Sequence, residues 1–291
     1  MKIGYNEATA KDCSTLEKDL ELCEKYGFDY IEIRLDMLKD YLKTHTSDDL
    51  KKFFETSHIK PHAMNALYIY EDLFSEKDDS IKHKEVMDDF LLGCETAQEI
   101  GSEYFVVVAP LNRNPAEGPY IGEWPSIFNN CVRILKELAD IAEGYGVKLC
   151  FELVGSKYCS VRTVDQAWEI VKTVNKNNVG LVFDVFNLYL FNKLEDFSVM
   201  EMVDPEKIYA IHINNADDAA MEELTQANRR FCDTGEINLE NFFHVLQRMN
   251  YDGMVSIETF RPEYWNKASD WVIQHAYETT LKTLKQFKAI I

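Results

Sequence analysis

One theme recurs along this chain: a helical pattern closes on a glycine, and an apolar, β-branched or aromatic run begins shortly after. EKYGFDYIEI, QEIGSEYFVVV, EGYGVKLCFEL and MNYDGMVSIE are copies of it. A glycine just past a helix end supplies the left-handed backbone that stops the helix. Short runs rich in Val, Ile, Tyr and Phe read as strands.

Read this way, the chain holds strands at Lys2–Tyr5, Tyr30–Ile33, Ile59–Met64, Tyr104–Ala109, Val147–Leu153, Val179–Phe183, Ile208–Ile213 and Met254–Ile257. A helical pattern follows each, around 14–26, 47–57, 80–100, 126–144, 163–175, 194–203, 239–249 and 267–288. Their apolar residues recur at three and four, as in Leu135, Leu138, Ala139 and Ala142. Eight βα units in 291 residues predict the α/β class and a (β/α)8 TIM barrel. No Gly/Ser/Pro linker or low-complexity tract interrupts the chain, so residues 1–291 read as one domain. Two long loops, PLNRNPAEGPYIGEWP and NNADDAAMEELTQANRRFCDTGEIN, follow strands 4 and 7 and are expected on the C-terminal face.

The charge balance narrows the partners. Thirty-one basic residues stand against 50 acidic ones, a net charge of −19. That opposes nucleic-acid and anionic-membrane binding, which need clustered Lys and Arg. No apolar run is long enough to span a bilayer, and the opening MKIGYNEAT reads as a strand rather than a signal peptide. The seven Cys, odd in number and without a CxxC pair, read as reduced thiols of a cytoplasmic protein.

The strand ends carry the chemistry. Strand 5 ends at Glu152, strand 6 at Asp184, strand 7 at His212 and strand 8 at Glu258. Side chains alternate along a strand, so Cys150, Val182, Ala210 and Ser256 should also face the barrel interior. Phe151, Phe183, Ile211 and Ile257 should pack outward under helices. Three crowded carboxylates repel one another and resist ionisation. A divalent cation resolves that conflict, and oxygen ligands with one imidazole suit Mn²⁺, Co²⁺, Mg²⁺ or Zn²⁺.

Together with NEAT, DLELCEKYGFDYIEIR, HIKPHAMNAL, DIAEGYGVK, VNKNNVGLVFD and VSIETFRPEYW, these residues resemble the xylose-isomerase-like TIM barrels across nearly the whole chain. Within that superfamily the resemblance is nearest to the inosose isomerases of inositol catabolism, which interconvert 2-keto-myo-inositol and 1-keto-D-chiro-inositol. The resemblance implies one divalent metal held by Glu152, Asp184, His212 and Glu258. It implies proton transfer through a metal-stabilised enediolate, with Glu152 and Glu258 as acid–base groups and either one as the base. A ketose 3-epimerase or another sugar isomerase would use the same ligands. An abasic-site endonuclease would need further His ligands and is opposed by the acidic charge. A silent barrel that only binds a polyol is a further alternative. The loop CDTGE lacks the Gly cluster of a phosphate site, so the expected partner is an unphosphorylated keto-polyol or sugar. A homodimer is possible for barrels of this kind.

The chain departs from the family pattern around the substrate. Asn187 stands where relatives commonly carry His, Tyr189 where another His is expected, and Cys232-Asp233 where Pro-Gly is usual; Asn214 and Asn215 follow His212 in place of acidic residues. Either the substrate preference has shifted or Asn187 hydrogen-bonds a hydroxyl in place of His. Asn6, Glu32, Asn65, Asn187, Arg229 and Arg261 are the candidate substrate contacts. Glu32 and Arg34, two apart on one strand, alternatively form a structural ion pair. Tyr68, Trp124, Tyr264 and Trp265 are candidates to wall a sugar ring. His62 reads as a core residue, and His45, His58, His83, His244 and His275 as structural or surface residues.

Overall fold

The computed structural model describes residues 1–289. Its frame is a closed barrel of parallel strands: β1 (Lys2–Asn6), β2 (Tyr30–Arg34), β3 (Lys60–Tyr68), β4 (Tyr104–Val108), β5 (Lys148–Glu152), β6 (Val179–Asp184), β7 (Ile208–Ile213) and β10 (Met254–Ile257). β1 closes the barrel by pairing with both β2 and β10. The eight expected strands are all present, with β3 running further than the expected Ile59–Met64. A two-stranded antiparallel ribbon, β8 (Asn215–Ala216) with β9 (Arg229–Arg230), stands outside the barrel.

The outer layer comprises α1 (Leu16–Tyr26), α2 (Leu35–Tyr41), α3 (Ser47–Thr56), α4 (Ser80–Ile100), α5 (Trp124–Glu143), α6 (Val164–Val174), α7 (Val185–Tyr189), α8 (Leu239–Arg248), α9 (Pro262–Trp265) and α10 (Ser269–Gln286). Local chemistry sets several of their ends. Thr46 and Asp49 form a reciprocal capping box at the start of α3, and Pro125 sits in the first turn of α5. Gly27 (φ +91°) and Gly101 (φ +79°) end α1 and α4 in the left-handed region, as the recurring theme predicts. In MNYDGMVSIE the left-handed residue is Asn250 (φ +55°) rather than the glycine. Gly253 is required there for space, because a Cβ would lie 2.7 Å from the Tyr251 hydroxyl.

One expected helix is corrected. The 194–203 segment forms a 3₁₀ helix over Phe197–Met202. Asn192 and Lys193 adopt left-handed backbone and turn the chain just before it. Asp196 accepts from Ser198 N, and Val203 returns to extended backbone. The α-helix after β6 is instead the short α7, starting directly at the strand end.

The core fills both the barrel and the layer around it. Cys150, Val182, Ala210 and Ser256 are fully buried, as are Phe151, Phe183, Ile211 and Ile257. The α4–β4 contact is close enough to need a glycine: a Cβ on Gly93 would sit 2.4 Å from the Phe105 ring. Among the described residues no helix is long and apolar enough to cross a membrane.

Candidate active site

Strand register builds the centre of the site. Asp184 pairs with His212, Ser256 also pairs with His212, and Glu152 pairs with Val182. The stagger of tilted barrel strands therefore carries four chemically distinct side chains to one end of the barrel. One ligand atom from each of Glu152, Asp184, His212 and Glu258 lies within 4.8 Å of the others. All four are buried.

The imidazole shows what this set is built for. His212 Nε2 lies 3.1 Å from the Glu32 carboxylate, which is acceptor-only when ionised, so Nε2 carries the donated proton. Nδ1 then turns toward Glu258 Oε2 at 3.4 Å and toward Glu152 Oε1 and Asp184 Oδ2, each at 4.0 Å. Nδ1 is buried without a hydrogen-bond partner. A lone pair facing three carboxylates fits a divalent cation bound by oxygen and one nitrogen.

The electrostatics express the same crowding. Burial, and then the Glu258 charge, push Glu152 up to about 8. Burial also raises Asp184, with Arg229 opposing it. At Glu258 burial acts upward, but His212 and Arg229 outweigh it and hold the carboxyl at about 2. His212 is desolvated, yet the Glu32 and Glu258 charges raise it well above the usual imidazole range.

Arg229 is the counter-charge of the site. It is buried, and Nη1 donates to Asp184 Oδ2 and to Glu258 Oε2, the latter at 3.0 Å. The β8–β9 ribbon carries it there. Asn215 ties the ribbon down, its Oδ1 accepting from Ile237 N at 2.8 Å. Arg261 holds the same ribbon from outside, donating to Asp217 Oδ2 at 2.8 Å and to the Arg229 carbonyl at 3.3 Å. The structure thus places Arg261 behind the ribbon and away from the cavity wall.

A cavity of about 190 Å³ opens above the quartet. Glu152 and Glu258 line it, while Asp184 and His212 do not. Asn65, Tyr68, Asn187 and Arg229 also line it. Asn65 Nδ2 is buried without a protein partner, so the donor is available to a hydroxyl. Asn6 and Glu32 lie beneath the quartet instead: both are fully buried, and Asn6 Nδ2 donates to Glu32 Oε2 at 3.0 Å. The alternative Glu32–Arg34 ion pair is not formed, because Arg34 turns to Asp36, with Nη2 to Oδ2 at 2.7 Å.

Of the expected aromatic walls, Tyr68 lines the cavity. Trp124 packs along α5 near Phe128, Tyr264 stacks on Phe231 at 4.1 Å, and Trp265 Nε1 donates to the Ala8 carbonyl. Leu111, Arg113, Gln226 and Phe260 are wall residues that the sequence did not single out. The two long loops supply the first three, and no residue-type pattern marks them. Cys232 lies away from the cavity, with Sγ 3.9 Å from Thr280 Oγ1. A larger hollow of about 1000 Å³ lies around Tyr30, Tyr104, Tyr209 and Tyr251 and contains none of the quartet. His62 sits there as the expected core residue, stacked on Tyr104 at 4.7 Å.

Known proteins share both the sequence and the frame. The chain is 40% identical over 287 residues to an inosose isomerase of Halalkalibacterium halodurans, covering 98% of this chain and 97% of that one. It is 40% identical over 288 residues to the inosose isomerase of Bacillus subtilis, covering 99% of each. A crystal structure of the IOLI protein with a binding zinc atom superposes with a TM-score of 0.88 at 39% identity, covering 99% of each chain. A D-psicose 3-epimerase crystallised with D-tagatose shares the fold, with a TM-score of 0.74 at 16% identity over 99% of each chain. The Xylose isomerase-like TIM barrel family model matches residues 20–276, and the chain belongs to that family.

Proposed function

We propose that this chain is a metal-dependent inosose isomerase that interconverts 2-keto-myo-inositol and 1-keto-D-chiro-inositol. The observation that carries the reading is His212 Nδ1, buried and unpartnered, facing three carboxylates, two of which line a small cavity. Full-length relatives named inosose isomerases support the substrate.

Glu152, Asp184, His212 and Glu258 would hold the ion. When bound, it supplies positive charge to a ketone oxygen and a neighbouring hydroxyl. The chain does the rest. Glu152 and Glu258 are the two quartet members on the cavity wall. They are therefore our candidates to take a proton from the hydroxyl-bearing carbon and return it to the former carbonyl carbon, while the hydroxyl proton passes to the former ketone oxygen. Asp184 is tied to Asn187 N at 2.8 Å and to Arg229, which suits a ligand rather than a proton carrier. Arg229, Asn65 and Tyr68 are placed to orient the polyol. Asn187 stands where an endonuclease-type centre would need another ligand, and its amide is already engaged by Glu152 and Gln226.

The test is proton NMR of the Mn²⁺-loaded protein in D2O with 2-keto-myo-inositol, alongside fructose, tagatose and psicose. Conversion of the inosose to its chiro isomer with deuterium uptake supports the reading. Inert inosose with a converted ketohexose replaces it with an epimerase. Sedimentation of the same preparation separates a monomer from a homodimer.

A further inference from the structure

A directed chain of hydrogen bonds runs around the rim of the cavity. Arg229 Nε donates to Gln226 Oε1 at 2.6 Å. Gln226 Nε2 donates to Asn187 Oδ1 at 3.0 Å. Asn187 Nδ2 donates to Glu152 Oε1 at 2.8 Å. A guanidinium only donates, and a carboxylate that holds a metal is ionised and only accepts. The two amides between them therefore have one orientation that satisfies every link. Reversing either one places two acceptors or two donors face to face.

From this geometry we propose that Gln226 and Asn187 are positioning residues that fix the rotation of the Glu152 carboxylate, using Arg229 as the anchor. The proposal rests on the isomerase reading for its catalytic consequence and on the hydrogen bonds alone for its structural one. It also assigns Asn187 a role other than substrate contact. Both ends of its amide are committed inside the protein, with Arg229 Nη2 adding a second donor to Oδ1 at 3.4 Å. The backbone keeps Asn187 in register: its N–H donates to Asp184 Oδ1 at 2.8 Å, and its carbonyl accepts from Gly155 N at 2.9 Å. Arg229 thereby reaches both cavity-lining glutamates, Glu258 directly and Glu152 through two amides. A displacement of the ribbon would disturb the two together.

Gln226 is half-buried in the loop just before β9, so its variants do not burden the core. The experiment compares the wild type with Asn187→Leu, Gln226→Met, their combination, and Gln226→Glu. One readout is the Zn²⁺ dissociation constant, by competition with a chelating dye. The other is kcat and KM for 2-keto-myo-inositol in zinc-saturated protein.

Partners that orient a metal ligand are worth about 10- to 100-fold in affinity or activity. Asn187→Leu and Gln226→Met are each expected to weaken zinc and lower kcat on that scale, with KM changing by less than about 3-fold. The combination is expected to be no worse than Asn187→Leu alone, because Gln226 acts through Asn187. Gln226→Glu keeps an acceptor for Arg229 but loses the donor to Asn187, and it is expected to lower kcat as Gln226→Met does. Wild-type kcat in Gln226→Glu would reduce Gln226 to a prop for Arg229 and overturn the relay. So would additive losses in the combination, or wild-type zinc binding in Asn187→Leu. If the wild type leaves inosose untouched, the proposed function fails, and the zinc constants of the two single variants and their combination still decide the relay.

Discussion

Glu32 and His212 are 180 residues apart in sequence, fully buried, and joined by a hydrogen bond of 3.1 Å across the barrel. The bond leaves Nδ1 as the nitrogen that meets the three carboxylates, so Glu32 chooses the tautomer of the imidazole. Removing the carboxylate should loosen the metal without touching it. Glu32→Ala is expected to weaken zinc binding by about 10- to 100-fold. Glu32→Gln keeps an accepting oxygen and should lose less. Chelator competition on the two variants checks the order, and equal, wild-type constants would refute the role.

Metal removal should cost stability as well as activity. Three buried carboxylates share one fixed cation, Arg229, which reaches Asp184 and Glu258 directly. An ion that binds only the folded state adds about 2.7 kcal/mol at a free concentration 100-fold above its dissociation constant. Calorimetry should therefore show a rise in Tm on adding zinc to chelator-treated protein. Asp184→Ala should abolish that rise together with the activity.

Asp19 provides a pH test remote from the quartet. It is fully buried in α1, and burial pushes its carboxyl up to about 8 from an ordinary value of 3.8. Between those values the folded protein holds a proton that the unfolded chain has lost. Unfolding then releases a proton, so stability falls as pH rises from about 4 to about 8. Asp19→Asn cannot ionise. Its Tm should fall less than that of the wild type between about pH 5 and about pH 8. Parallel Tm curves for the two proteins would contradict the assignment.

Gly155 is the tightest approach to α7. A Cβ there would lie 2.3 Å from the Asn187 carbonyl oxygen and 2.6 Å from Phe191 N, both backbone atoms that cannot rotate away. Gly155→Ala should destabilise the fold by about 1–3 kcal/mol, the usual scale of overpacking. By displacing Asn187 it should also lower kcat. Urea unfolding and steady-state kinetics on one preparation would check both, and a fully active, fully stable variant would show that α7 can slide.

The barrel was legible because its causes are local. Strands announce themselves by β-branched and aromatic runs between helix stops, and a ligand at a strand end is a matter of position and period. One segment departs from its helical pattern for a reason of local backbone. In the 194–203 segment, left-handed Asn192 and Lys193 reset the chain direction, and a 3₁₀ turn replaced an α-helix.

The eight-stranded frame and the four polar residues that meet at its strand ends, Glu152, Asp184, His212 and Glu258, are written in local sequence. How they are held depends on contacts between distant segments. Arg34 turned to Asp36, which released Glu32 to His212. A two-stranded ribbon folded Arg229 back over two of the carboxylates. Gln226, unmarked by any motif, closed the path to Glu152 through Asn187. Apart from the local Arg34–Asp36 pair, these links join residues far apart in the chain, across the barrel or between loops. Their distances follow from barrel closure and register, which no local periodicity encodes.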